Sequence, residues 1–279
     1  MKDFKKRQKA KGVPCWICGA PSDSREHIFK KSDFTRRYGD LPFKHIGGML
    51  HFKGSNQGKN VPSSNSKIIK YEPIICSKCN NQTSQPWDKA YEKFEKWIFE
   101  NSKLIFKNRF IPLELVYGGE QYSIQCSNLY KYFVKAFGCR LVSSGTSVPN
   151  DLRKLLTKKC FVTKLRLCFS INETSFALEP EDRDNFLGVG DLFRLNSKGL
   201  LNRYFWHLNI GWLTVWFFYD YEIPCGVGAP WVSDSACLYL GVFQSASIEQ
   251  LIENAREQNN GLLLKRLEQI KSNGGFKIE

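Results

Sequence analysis

At 279 residues, 42% hydrophobic and 14% aromatic, the chain has ample material for one large or two ordinary packed domains, so it reads as globular. The formal charge is +14, and residues 1–80 hold 17 Lys and Arg against 6 Asp and Glu, a local balance of +11 that points to a polyanionic partner. The longest apolar run, Ile210 to Tyr219, falls well short of the ~20 residues of a membrane-spanning helix, and no apolar signal core follows the lysine-rich start; a cytoplasmic protein away from membranes is expected.

Residues 1–12 read as a basic, flexible arm. Cys15-Trp16-Ile17-Cys18, bounded by Pro14 and Gly19, has the spacing of a zinc knuckle, and Cys76-Ser77-Lys78-Cys79 repeats it. Four thiolates in two such pairs are the ligand set of a closed tetrahedral zinc site. Between them, Ser24 to Lys31 reads as a short extended piece entering a loop. Residues 39–67, rich in Gly, Ser, Asn and Lys, read as a long loop or hairpin, and residues 67–75 as a short strand interrupted by Pro73. A helix is expected after the second knuckle, with Ser84 as cap and Pro86 in its first turn. Its apolar stripe is Trp87, Ala90, Tyr91, Phe94, Trp97 and Ile98.

Beyond residue 104 the pattern changes. Phe110–Val116 and Gln121–Gln125 resemble the arms of a hairpin around Gly118-Gly119, helices are expected over 129–141 and 150–158, and residues 161–171, 203–221 and 237–243 carry the β-branched and aromatic residues of strands. The chain closes as helix over 247–272, broken near Asn259-Asn260-Gly261. Cys126, Cys139, Cys160, Cys168, Cys225 and Cys237 lack paired spacing and read as small buried hydrophobes. His45, His51 and His207 read as surface or packing histidines. The fold class is therefore α+β: a zinc-stapled module over 13–104, then a larger α+β domain over 105–279 with no catalytic spacing.

Arg25-Glu26-His27-Ile28, followed by Cys76-Ser77-Lys78-Cys79-Asn80-Asn81, resembles the HNH, or His-Me finger, endonucleases, in the branch whose ββα-metal core is stapled by a four-cysteine zinc. The resemblance covers roughly residues 13–100. It implies Cys15, Cys18, Cys76 and Cys79 as structural zinc ligands, His27 as general base, and Glu26 and Asn80 as ligands of a catalytic Mg²⁺ or Mn²⁺. Two features depart from the family pattern: no Asn stands in residues 71–75 to orient the His loop, and the last His is replaced by Asn80. Asp88 is a further candidate ligand, although Pro86 argues against one unbroken helix from Cys79 to Asp88.

The chemistry is consistent with these residue types. Phosphodiester hydrolysis needs water deprotonated near neutral pH, a task suited to imidazole, and a hard cation held by one or two protein oxygens to offset charge on the phosphate. Adjacent residues of a regular strand point to opposite faces, so Glu26 and His27 can share a site only where the strand ends. The expected function is DNA cleavage, with RNA left open, in a phage, mobile-element or defence setting that only the resemblance implies. The C-terminal domain would supply specificity, dimerisation or a regulatory partner. The alternative is a noncatalytic zinc-knuckle nucleic-acid-binding or adaptor protein.

Overall fold

The computed structural model describes residues 13–40, 42–43, 50–51, 59–119, 121–158, 162–197 and 200–278. The basic arm, His45 and Cys160 lie outside the described residues. The chain is mixed α+β and forms two compact units: residues up to Glu92 with the segment Asn128–Thr163, and Lys93–Ser127 with Lys164 onward. This division differs from the linear split expected at residue 104, because the segment after Ser127 returns to the first unit.

In the first unit, residues 24–28 pair antiparallel with residues 69–75: Ser24 N donates to Ile75 O at 3.0 Å, Tyr71 N to Glu26 O at 2.9 Å and Ile28 N to Ile69 O at 3.0 Å. The ladder is irregular, since Ser24 faces Ile75 but His27 faces Lys70, so three residues on one side advance against five on the other. Pro73 lies in that excess, where a ladder hydrogen bond from its nitrogen is impossible. Helix α1, Lys31–Tyr38, replaces part of the expected loop and buries Phe34 against Phe43. Strands β1, Leu50–His51, and β2, Lys59–Asn60, pair antiparallel within the expected hairpin.

The second knuckle opens a helical stretch that begins with a π-helical turn, Lys78–Thr83, and continues as α2, Gln85–Glu100. Pro86 sits at the second position of α2, where a missing N–H costs little. It does not interrupt the helical path from Cys79 to Asp88. The stripe Trp87, Ala90, Tyr91, Phe94 and Ile98 is buried as the period requires, with Trp97 half-buried. After α3, Ser102–Asn108, the expected hairpin is absent. Residues 110–112 form β3, residues 113–117 form α4, and Tyr122–Ser143 is one long helix, α5. Gly118 and Gly119 have φ of 65° and 64°, so they end one helix and admit the next instead of turning a hairpin. The latter part of α5 and α6, Asn150–Thr157, belong to the first unit. There Tyr132 stacks on Tyr91 at 3.9 Å, and Trp16 Nε1 donates to Cys139 Sγ at 3.4 Å.

The second unit is built on a seven-stranded mixed sheet. After β4, Leu165–Asn172, come a short helix α7, Pro180–Asn185, and strands β5, Leu187–Val189, β6, Phe193–Ser197, β7, Leu200–Ile210, β8, Leu213–Tyr219, and β9, Cys237–Phe243. The order is β3-β9-β4-β8-β7-β5, with β6 also paired to β7. Strand β4 runs parallel to β9 and antiparallel to β8, and Gly211 turns β7 into β8 with φ of 60°. Helices α8, Ile248–Glu257, and α9, Gly261–Ser272, pack on each other through Ile252, Ala255 and Leu267. His207 lies against Trp216 at 4.9 Å. Cys126 and Cys168 are buried as expected, but Cys225 is exposed on the turn after β8, so it is no core residue.

Candidate functional site

The four knuckle cysteines come together. Their Sγ atoms lie within 4.8 Å of one another, and Cys18 Sγ is 3.6 Å from Cys76 Sγ. A tetrahedral ion with bonds of ~2.3 Å separates its sulfurs by roughly 3.8 Å, so these residues could hold a zinc ion. Local geometry builds the cluster. Gly19, at φ of 83°, lets its N–H donate to Cys15 O at 2.8 Å and closes the first knuckle, while Cys79 N donates to Cys76 Sγ at 3.4 Å in the second. The main-chain N–H of Ala20 draws the exposed Cys18 thiol down to about 7, while burial pushes the Cys79 thiol up. A cation bound in the cluster would supply the charge that lets the buried sulfurs ionise.

Directly behind the cysteines, Ser84 N donates to Cys79 O at 3.1 Å across the π-helical turn. This turn directs Cys79 into the cluster while the next residue, Asn80, lines an open pocket of about 340 Å³. Glu26 and His27 line the same pocket, with Lys30, Asn81 and Asp88. Glu26 and His27 thus share one site because their strand is held by isolated bridges and bends at Ile28, not by a regular ladder.

Each side chain has a defined anchor. His27 Nε2 lies 3.0 Å from Ser64 O and donates to it, which places the lone pair of the neutral ring on Nδ1. The ring is thus held by a main-chain carbonyl and not by a side chain. Burial pulls His27 down to about 4, helped by the charges of Lys70, Lys30 and Lys135 and opposed by the bond to Ser64. Asn80 Nδ2 donates to Ser24 Oγ at 2.9 Å, leaving Oδ1 as an acceptor.

Three lysine–carboxylate contacts link the acids. Glu26 Oε1 is 3.0 Å from Lys135 Nζ, Asp88 Oδ1 is 2.8 Å from the same ammonium, and Asp88 Oδ2 is 3.0 Å from Lys30 Nζ. Burial opposes the charge on Lys135, but the two carboxylates outweigh it and hold the ammonium above its usual range. Sequence reasoning missed Lys135 and Lys30. The available signal was a lysine inside Tyr132-Phe133-Val134-Lys135-Ala136-Phe137, since a cation in a buried apolar helix needs an anionic partner. Glu26 and Asn80 bring to the pocket hard oxygens of the kind that could hold a divalent ion, whereas both Asp88 oxygens already face ammonium groups.

Among the described residues, no helix is long and apolar enough to cross a membrane. Comparisons of the chain with protein-family models, curated proteins and solved structures return no match.

Proposed function

We infer that the protein is a metal-dependent endonuclease of the HNH type that hydrolyses phosphodiester bonds in DNA. One observation carries this reading: Glu26, His27 and Asn80 converge on one pocket next to the four-cysteine cluster, with His27 anchored through Nε2. In this reading His27 Nδ1 accepts the proton of the attacking water, and its low proton affinity keeps it unprotonated at neutral pH. Glu26 and Asn80 would hold a Mg²⁺ or Mn²⁺ ion, which when bound supplies charge stabilisation at the phosphate and the leaving oxygen. Lys30 in the pocket wall and the exposed Lys89 draw the phosphodiester in. A single such site cuts one strand, so a double-strand break requires two copies or two events. RNA as substrate, and a second copy or regulatory protein on the other unit, extend the same reading.

One observation favours the noncatalytic alternative, a zinc-knuckle nucleic-acid-binding or adaptor protein. Glu26 and Asp88 are already balanced by Lys135 and Lys30, as in a purely structural ion network. Incubation of supercoiled plasmid with zinc-loaded protein, in Mg²⁺, Mn²⁺ or EDTA, separates the two. The nuclease gives metal-dependent nicking that His27→Ala abolishes at unchanged zinc content. The adaptor gives salt-sensitive binding, indifferent to His27→Ala, and no nicking with any metal.

A further inference from the structure

Lys135 has 1% of its side chain exposed, yet its terminal nitrogen lies within 3.0 Å of two carboxylates. Its Nζ contacts Glu26 Oε1, Asp88 Oδ1 and, at 3.3 Å, Ser84 Oγ, so each of its three hydrogens has an acceptor. Asp88 holds a second ammonium, that of Lys30, on its other oxygen. Lys135 meets Glu26 through Oε1, one of the two carboxylate oxygens. The buried Glu26 and the partly buried Asp88 are matched by two lysines, and the pocket rim adds one charge of each sign, Lys89 and Glu92.

We propose that Lys135 is a positioning residue acting as the built-in cation of this site. Its ammonium takes the place between Glu26 and Asp88 that a divalent ion would otherwise occupy, withholds Asp88 from the ligand set and leaves Glu26 Oε2 for the pocket. The proposal rests on the reading of Glu26 as a cation ligand. A site balanced in charge holds a divalent ion weakly by itself. The phosphates of a bound nucleic acid supply the missing negative charge, so metal and substrate bind cooperatively and the metal loads where there is something to cut.

The test is Mn²⁺ affinity, read by electron paramagnetic resonance of free Mn²⁺ on the zinc-loaded full-length protein without nucleic acid. Lys135→Met is expected to tighten Mn²⁺ binding about tenfold or more, because the ion then sits between two uncompensated carboxylates. The Lys135→Met/Asp88→Asn double variant restores the charge balance and is expected to stay within about threefold of wild type. Where the single variant does not fold, the double variant decides alone, since a direct Asp88 ligand in the wild type would make it lose Mn²⁺ about tenfold or more.

The proposal is overturned by a single variant that binds no tighter than wild type, by a double variant as tight as the single one, or by no Mn²⁺ binding in any of the three. Affinities in the expected order with no plasmid nicking would remove the nuclease reading and leave the role of Lys135 standing. Glu26→Gln without effect on Mn²⁺ affinity would remove the ligand assignment on which the proposal rests.

Discussion

His27 Nε2 stands 3.0 Å from the carbonyl oxygen of Ser64, and this contact fixes which ring nitrogen can act as a base. A carbonyl only accepts, so Nε2 carries the proton and Nδ1 the lone pair. The ring sits among cations, and its pKa is lowered from 6.5 to about 4, with burial the main cause and Lys70 the next. The unfolded chain therefore takes up this proton first as pH falls. His27 contributes full stability above pH 6.5, loses it progressively on acidification, and has lost it below about pH 4. In metal-free protein, long-range ¹H–¹⁵N spectra should show the Nε2–H tautomer at pH 7 and no titration above pH 5, and Lys70→Gln should move the midpoint upward without reaching 6.5. A His27 midpoint near 6.5 in the wild type would contradict the buried, cation-flanked ring.

The cysteine cluster makes a prediction of its own. Purified protein should contain one zinc per chain by elemental analysis, and Cys76→Ser or Cys79→Ser should abolish it. Because protons compete for the sulfurs, and burial raises Cys15 and Cys79 while Cys18 lies near 7, zinc affinity should fall by more than about tenfold per unit of pH below neutrality. Competition with a chromogenic chelator across pH measures this directly. A pH-independent affinity would rule out a thiolate site.

How much of this was legible in the sequence depends on the range of the interaction. The CxxC spacing and the α2 stripe are local signals, and the cysteine cluster and the buried stripe are both present in the structure. The expected hairpin over 110–125 failed for a local reason as well. Tyr122 to Gln125 reads as alternating, but it is the first turn of a 22-residue helix whose longer period outweighs a four-residue pattern. The ion network was illegible because its members are distant: Lys135 reaches Asp88 across 47 residues, and no local pattern reports that pairing. The same holds for Ser64, whose contribution is a main-chain oxygen and is independent of side-chain identity.

Gly138 shows how tightly α5 lies against the first knuckle. A Cβ built there would stand 2.4 Å from two atoms of the Trp16 ring, a distance that real contacts do not reach. Trp16 is buried and its indole is tied to Cys139 Sγ, so it has little room to swing aside. Gly138→Ala should therefore destabilise the protein by about 1–3 kcal/mol through overpacking, despite alanine's better helix propensity. Urea denaturation followed by tryptophan fluorescence reads the effect. A stabilised Gly138→Ala variant would mean that the two elements separate at little cost.

Residues 1–104 would be the natural fragment on sequence grounds, and the structure predicts that this fragment does not fold as the intact unit does. It lacks Lys135, the partner of two carboxylates whose side chains are 9% and 13% exposed. Removing one member of a buried ion pair costs about 3–5 kcal/mol, a large share of the roughly 5–15 kcal/mol by which a domain is stable. The fragment also loses Tyr132 from the face of Tyr91, Gly138 and Cys139 from Trp16, and the Arg153 Nε bond to Ile17 O at 3.1 Å. Each of these contacts braces the first knuckle or the pocket wall. Residues 1–104 should thus give poorly dispersed amide spectra even with zinc added, whereas a chain ending at residue 163 retains every segment of the first unit and should hold zinc with dispersed spectra. Should residues 1–104 instead bind zinc and unfold cooperatively, α5 and α6 would be dispensable to the site, and the Glu26–Lys135–Asp88 network would be a contact that the fold tolerates without needing it.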